Sequence, residues 1–260
     1  MSDFKGSWAL VLGASSGFGE ATSLELARRG MNVCGVHLDR KQTLPNVERI
    51  MGEIRKSGAE ALFFNVNAAD EARRKEVLDA LAGKAKSVRV LMHSLAFGTL
   101  KPFLADKPED SINKAQMDMT LDVMAHSLVY WVQDLWQRKM LQKGSRIVAM
   151  TSAGSSRIWA SYGAVSAAKS SLESHIRQLA FELAPHGVAA NAIRAGVTDT
   201  PALRKIPGNE QMIEGTLARH PAKRLTTTHD VACMIAALAA SDLDWVSGNT
   251  IGVDGGEILI

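Results

Sequence analysis

"GASSGFG" (residues 13–19) follows the apolar run "SWALVLG" (7–13) and opens a helix-period segment near 18–29. Gly13 permits a tight strand-to-helix turn, and Gly17 and Gly19 let backbone and helix approach a pyrophosphate closely. The helix N-terminus then offers N–H donors and a partial positive charge to phosphate oxygens. Gly13, Ser15, Ser16, Phe18 and Gly19 are the candidate contacts of this turn. A glycine pattern alone also occurs in turns that bind nothing. Its place between the first strand and the first helix gives it weight.

Outward from this turn, short apolar runs alternate with longer amphipathic ones. "MNVCGVHL" (31–38), "AEALFFNV" (59–66), "SVRVLMHSLA" (87–96), "SRIVAMTS" (145–152), "VAANAIRA" (188–195) and "GNTIGVDG" (248–255) join 7–13 as buried strands. Continuous apolar runs suit parallel strands covered on both faces. Helical periodicity falls near 18–29, 46–57, 70–84, 109–142, 163–184 and 229–240, with Gly30, Gly58 and Gly187 placed as C-terminal caps. This alternation predicts an α/β fold, a doubly wound seven-stranded parallel sheet of Rossmann-like type, with ligands at the carboxyl ends of the strands. No Pro/Gly/Ser-rich linker interrupts it, so residues 1–260 read as one domain.

The 260 residues are 46% hydrophobic and 22% charged, enough for one large core. A net charge of +3 is too small to argue for nucleic acid, and no apolar run is long enough to span a membrane. The first apolar run starts at Trp8, which leaves no room for a signal peptide ahead of it. Cys34 and Cys233 have no metal-ligand spacing and read as two buried, reduced thiols in a cytoplasmic protein; no metal is expected.

A dinucleotide's adenosine ribose would meet the end of the second strand. NAD sites commonly place a carboxylate there and NADP sites a positive charge. Seven residues beyond Gly30, where the acid is expected, stands His37, followed by Asp39, Arg40 and Lys41. Arg40 and Lys41 suit a 2′-phosphate, and Asp39 suits ribose hydroxyls. The balance favours NADP(H), with NAD(H) possible.

"YGAVSAAK" (162–169) carries one of only two tyrosines, seven positions before a lysine. Positions four and seven apart return to nearly the same helix face, but reach about 6 Å and about 10 Å along the axis. Lys169 can hold ribose hydroxyls in either spacing. Moving the tyrosine a turn away aims its hydroxyl at an oxygen farther from the carbon that takes a hydride. Ketone reduction needs the donor on the oxygen of that same carbon. Enoyl-thioester reduction puts hydride on the β-carbon while charge develops on the carbonyl oxygen two carbons away, which suits the longer reach.

The glycine turn, "NVN" (65–67), "HSLAFG" (93–98), Ser152, Tyr162, Lys169, "AGVTDT" (195–200) and the "SGNTIGVDGG" ending together resemble the short-chain dehydrogenase/reductase superfamily over essentially the whole chain. The common branch of that superfamily has its tyrosine four before the lysine, where this chain has Val165. It also has an asparagine where this chain has Met124, and an NNAG motif where this chain has His93-Ser94-Leu95-Ala96. Bacterial enoyl-acyl-carrier-protein reductases share all three departures, and residues 155–207 resemble their NADPH-dependent third class. One difference remains: the best-known class has a tyrosine where this chain has Ser152, also the place of the common branch's serine.

The resemblance implies Tyr162, Lys169 and Ser152 as catalytic residues. It implies cofactor contacts from the turn residues above, His37, Asp39, Arg40, Asn65, Val66, Ser94, Leu95, Ala96, Lys169, Gly196, Val197, Thr198 and Thr200. Phe97, Trp159, Tyr162 and Leu203 would line the substrate. It implies an acyl substrate, small or carrier-bound, in fatty acid synthesis, and a homotetramer or homodimer built on the long helices. A carbonyl reductase or alcohol dehydrogenase of the same fold is the rival enzyme, and a dinucleotide-sensing protein the non-enzymatic one. Ser152 either orients the tyrosine or substrate or caps a turn; His93 reads as a hydrogen-bonded strand-end residue and Tyr130 as packing. The basic residues from Arg194 to Arg224 suit either an acidic carrier or a solvated loop. Residues 198–221, broken by Pro201, Pro207 and Gly208 yet carrying an apolar face, are expected to form a mobile substrate lid, with a permanently packed helical pair as the alternative.

Overall fold

The computed structural model describes residues 4–259. Seven strands form one parallel sheet in the order β3-β2-β1-β4-β5-β6-β7: β1 Trp8–Leu12, β2 Asn32–His37, β3 Ala61–Asn65, β4 Val90–His93, β5 Arg146–Thr151, β6 Ala189–Ala195 and β7 Thr250–Val253. The helices between them are α1 Gly17–Arg28, α2 Leu44–Lys56, α3 Glu71–Ala82, α4 Lys114–Leu121, α5 Ser127–Gln137, α6 Gly163–Leu183, α7 Asn209–Arg219 and α8 Thr228–Leu238. Strand order reverses between β1 and β4, where Leu12 pairs with His93, so a crevice opens beyond the carboxyl ends of these two strands.

β1 shows why a continuous apolar run makes a central strand. Its pleat sends Leu10 and Leu12 into a core shared with α5 and α6, and Ala9 and Val11 into a second core with α1, α2 and α8. Both faces are covered, so polar alternation has no place. Helix starts are set by local chemistry. Asp70 accepts from the Arg73 amide at 3.0 Å, and Asn113/Gln116 and Thr227/Asp230 form reciprocal capping boxes, each such cap being worth about 1 kcal/mol. Gly30, Gly58 and Gly187 close their helices with positive φ, as expected.

The helix expected over 109–142 is the main departure. It begins at Lys114, passes through a π-helical turn at Asp122–His126, and ends at Gln137 before Lys139 turns left-handed at φ 58°. Periodicity alone does not register a single π turn, because the apolar face continues on both sides of it. Cys34 is buried as expected, but Cys233 is only half-buried on the flank of α8, with Sγ 3.4 Å from His229 Nε2. Tyr130 is likewise exposed rather than packed inside, and the Arg74 guanidinium lies 5.6 Å from its ring centre. Among the described residues no helix is long and apolar enough to cross a membrane.

Candidate active site

The glycine turn has the geometry its sequence implies. Gly13 has φ +91°, and a Cβ there would lie 2.4 Å from the Ser94 carbonyl oxygen, so only glycine lets the first turn meet the β4 loop. Gly19 approaches the Gly13 carbonyl more closely still. Ser16 occupies the N-cap of α1 but its side chain makes no capping bond, which leaves the helix N-terminus open to an anion. Thr200 comes down onto Gly17 from beyond β6, a Cβ on Gly17 lying 3.6 Å from its Cγ2. Phe18 packs inward against the second core, and Ser15 gives its carbonyl to Asn46 at 2.9 Å.

At the end of β2, His37 is buried and its Nδ1 lies 3.0 Å from Asp39 Oδ2. Burial pushes the Asp39 carboxyl up, but hydrogen bonds from Ser15, Thr43 and His37 outweigh it and hold the group below its ordinary range. The carboxylate thus stays charged and faces the glycine turn. Arg40 and Lys41 are exposed. Asn65 clamps the main chain of Asp39, accepting from its amide at 2.9 Å and donating to its carbonyl at 3.0 Å, and the Val66 amide bonds the His37 carbonyl at 2.8 Å. Ser94 extends the β4 ladder by donating to the Leu12 carbonyl at 2.8 Å, Leu95 packs on the core, and Ala96 and Phe97 are exposed.

Tyr162 is the N-cap residue of α6, delivered there by Ser161 in the left-handed region at φ 60°, a conformation costing a non-glycine residue about 1 kcal/mol. Its ring lies against Gly154: a Cβ on that glycine would be 2.5 Å from Tyr162 Cε1. Desolvation pushes the phenol pKa up, and a hydrogen bond with Ser152 opposes this. Ser152 Oγ also accepts from the Gly154 amide at 3.1 Å and caps a short 3₁₀ turn, so the hydrogen bond to Tyr162 and the turn cap coexist.

One turn further, the two positions where the common branch carries polar groups are apolar and packed. Met124 and Val165 are buried side by side, and a Cβ on Gly98 would lie within 2.9 Å of the sulfur of one and 3.0 Å of Cγ2 of the other. The hydroxyl at Tyr162 therefore has no competitor at the four-residue position.

Lys169 is buried on α6, and its Nζ donates to the Met150 carbonyl at the end of β5 at 2.6 Å. Burial pushes its pKa down to about 8, against an upward pull from Glu173. His93, fully buried beside it, is pushed down to about 3 by burial and then by the Lys169 charge. Ser127 Oγ donates to the Val123 carbonyl at 2.8 Å, so it must accept from His93 Nε2 at 2.9 Å, leaving Nδ1 as a buried acceptor with no partner. His93 is the hydrogen-bonded strand-end residue that was expected.

Around this group the walls are aromatic. Phe103, not singled out in the sequence, stands on Gly163 beside Tyr162: a Cβ on Gly163 would lie 2.5 Å from its Cζ. Trp159 donates Nε1 to the Pro207 carbonyl at 2.9 Å. Gly196 and Val197 are half-buried, with the Val197 amide bonded to Glu257 Oε2 at 2.8 Å. Thr198 and Thr200 are buried, and their hydroxyls serve the local backbone. Leu203 is buried in this conformation rather than open to a ligand. The basic stretch is partly neutralised, since Arg204 pairs with Asp199 and Arg224 with Asp230.

Spacing singled out Tyr162 and Lys169. Gly154 and Phe103 carried no sequence signal, because each matters only through a contact with a residue outside its own element. Ser161 carried none because its left-handed backbone is rare for serine.

A family model described as "Enoyl-(Acyl carrier protein) reductase" matches residues 13–257. The chain is 27% identical over 254 residues to 1-cyclohexenylcarbonyl-CoA reductase of Streptomyces collinus, covering 97% of this chain and 87% of the relative. It is 27% identical over 260 residues to the 3-oxoacyl-[acyl-carrier-protein] reductase of Salmonella typhimurium, covering 99% of each. The fold is shared with the enoyl-[acyl-carrier-protein] reductase (NADH) of Aquifex aeolicus VF5, at TM-score 0.85 and 21% identity over 99% of this chain and 98% of that one. The chain therefore belongs to the Enoyl-(Acyl carrier protein) reductase family of the short-chain dehydrogenases/reductases, and is an NAD(P)H-dependent oxidoreductase.

Proposed function

We propose that the protein reduces the carbon–carbon double bond of an enoyl thioester, carried by acyl carrier protein or coenzyme A, as in fatty acid synthesis. The observation that carries this reading is the placement of the only site tyrosine at Tyr162, seven before Lys169, with Val165 packed into the core at the four-residue position. A bound NAD(P)H supplies the hydride. The Tyr162 hydroxyl, oriented by Ser152, would hydrogen-bond the thioester oxygen as negative charge develops there, and Lys169 would hold the cofactor's ribose. The α-carbon of the enolate would then take a proton to give the saturated thioester. Phe97, Phe103 and Trp159 offer apolar walls for the acyl chain, and residues 198–221 a lid that keeps water from the enolate.

For the cofactor, we propose NAD(H) in place of the NADP(H) that Arg40 and Lys41 suggested. An ionised Asp39 beside Ser15 accepts from ribose hydroxyls and repels a 2′-phosphate, while the basic pair is exposed.

The relatives include a 3-oxoacyl reductase, so ketone reduction is the competing reading. Cofactor oxidation with crotonyl and acetoacetyl thioesters separates the two. Turnover of the crotonyl substrate alone is expected, and Tyr162→Phe should lower it about 10²-fold while leaving cofactor affinity intact. Turnover of the acetoacetyl substrate alone rejects the proposal.

A further inference from the structure

Lys169 is tied to the sheet through a two-rung seam. Its Nζ donates to the Met150 carbonyl at 2.6 Å, and the next β5 residue, Thr151, donates Oγ1 to Glu173 Oε1 at 2.6 Å. Glu173 lies four residues beyond Lys169 on α6, hence on the same helix face. Consecutive residues of one strand thus hold an ammonium and a carboxylate on consecutive turns of one helix.

Thr151 and Lys169 are both buried. The Lys169 rung is fully buried, and the Thr151–Glu173 rung is part-buried because Glu173 is only half-buried. A buried ammonium is costly unless an opposite charge accompanies it. The titratable groups that interact electrostatically with Lys169 are His93 on β4 and Glu173 on α6, and Tyr162 stands at the head of the same helix. Burial holds His93 neutral, and the Tyr162 phenol is raised above its ordinary value. Glu173 is the carboxylate among these groups, and its charge raises the affinity of Lys169 for its proton.

We propose that Glu173, oriented by Thr151, is a positioning residue that keeps Lys169 charged and so sets the upper pH limit of dinucleotide binding. This rests on Lys169 being a dinucleotide contact. Losing the carboxylate removes the opposing charge, so Lys169 gives up its proton at lower pH.

The test is NADH binding, followed by nucleotide fluorescence without substrate across neutral to alkaline pH. Wild type is compared with Glu173→Gln, Glu173→Asp, Thr151→Val and Lys169→Met. Wild-type binding is expected to weaken as pH rises through the Lys169 pKa of about 8. Glu173→Gln should move that midpoint down by about one pH unit, leaving affinity below it within about two-fold. Thr151→Val should move it the same way by less, and Glu173→Asp should restore most of the shift. A role confined to packing would lower affinity equally at every pH and leave the midpoint in place, which overturns the proposal. If Lys169→Met weakens binding while the Glu173 and Thr151 variants keep the wild-type midpoint, the inference alone fails. If Lys169→Met binds like wild type, the assignment of Lys169 fails and takes the inference with it.

Discussion

The indole Nε1 of Trp159 donates to the carbonyl oxygen of Pro207 at 2.9 Å, joining the loop that delivers Tyr162 to the tip of the segment beyond β6. The ring also lies over Gly208, where a Cβ would be 3.3 Å from Cζ2. Between its ends the segment is lightly held: Thr216 is the buried residue of α7, while Leu203 anchors one end and His220, bonded through Nε2 to the Asp254 carbonyl at 2.9 Å, the other. Trp159→Phe keeps an aromatic ring but removes the bond and part of the packing over Gly208. Hydrogen exchange across 198–221 should then speed up about five-fold in the free protein, the equivalent of one ordinary hydrogen bond. Strong, unchanged protection would mean a permanently packed helical pair and no lid.

Gly154 should be as sensitive as a catalytic residue although it has no functional group. In Gly154→Ala the new methyl must displace the Tyr162 ring, and a displacement near 1 Å costs about 10²-fold in turnover. Steady-state kinetics should show the loss in kcat, with NADH affinity unchanged. Normal turnover would show that the ring position is not critical.

Asp39 and Arg40 make opposite predictions about the dinucleotide. Asp39→Ala should weaken NADH about ten-fold, the scale of a charged hydrogen bond, with little effect on NADPH, and Arg40→Ala should spare NADH. Binding titrations with both cofactors decide it. Selective loss of NADPH in Arg40→Ala would return the preference to NADP(H).

His93 should give stability an acid limb. Its pKa is pushed down to about 3 when folded, so the unfolded chain binds the extra proton first on acidification. The contribution is fully present above the ordinary histidine range and is lost as pH falls toward the folded value, with a slope of about 1.4 kcal/mol per pH unit at most. Urea midpoints of wild type and His93→Gln should therefore converge between roughly pH 6.5 and pH 3. Parallel curves would place the acid sensitivity elsewhere.

Much of this molecule was legible before any coordinate. Apolar runs without alternation marked the central strands as buried, and the turn at 13–19 marked the first strand-to-helix junction. β3 and β7, at the two edges of the sheet, are only half-buried because one side of each lacks a neighbouring strand. The seven-residue spacing singled out Tyr162 and Lys169, but Tyr162 is the N-cap and α6 starts only at Gly163, so helical geometry carries the direction of that argument and not its distances. The extent of the helix before β5 was less legible, since a π turn changes the hydrogen-bond ladder without changing the apolar pattern around it.

The direction of the Asp39 carboxylate was decided by groups from three segments. His37 lies beside it, Ser15 reaches it from the glycine turn, and Asn65 of β3 fixes its backbone, so Asp39, Arg40 and Lys41 could not be ranked from their order alone. The same holds for the Gly154 seat beneath Tyr162 and for the pairing of Thr151 with Glu173, twenty-two positions apart. Periodicity reports what one element presents along its own axis. Which side chain of another element fills the space opposite depends on how strands and helices pack, and only the tertiary structure decides that.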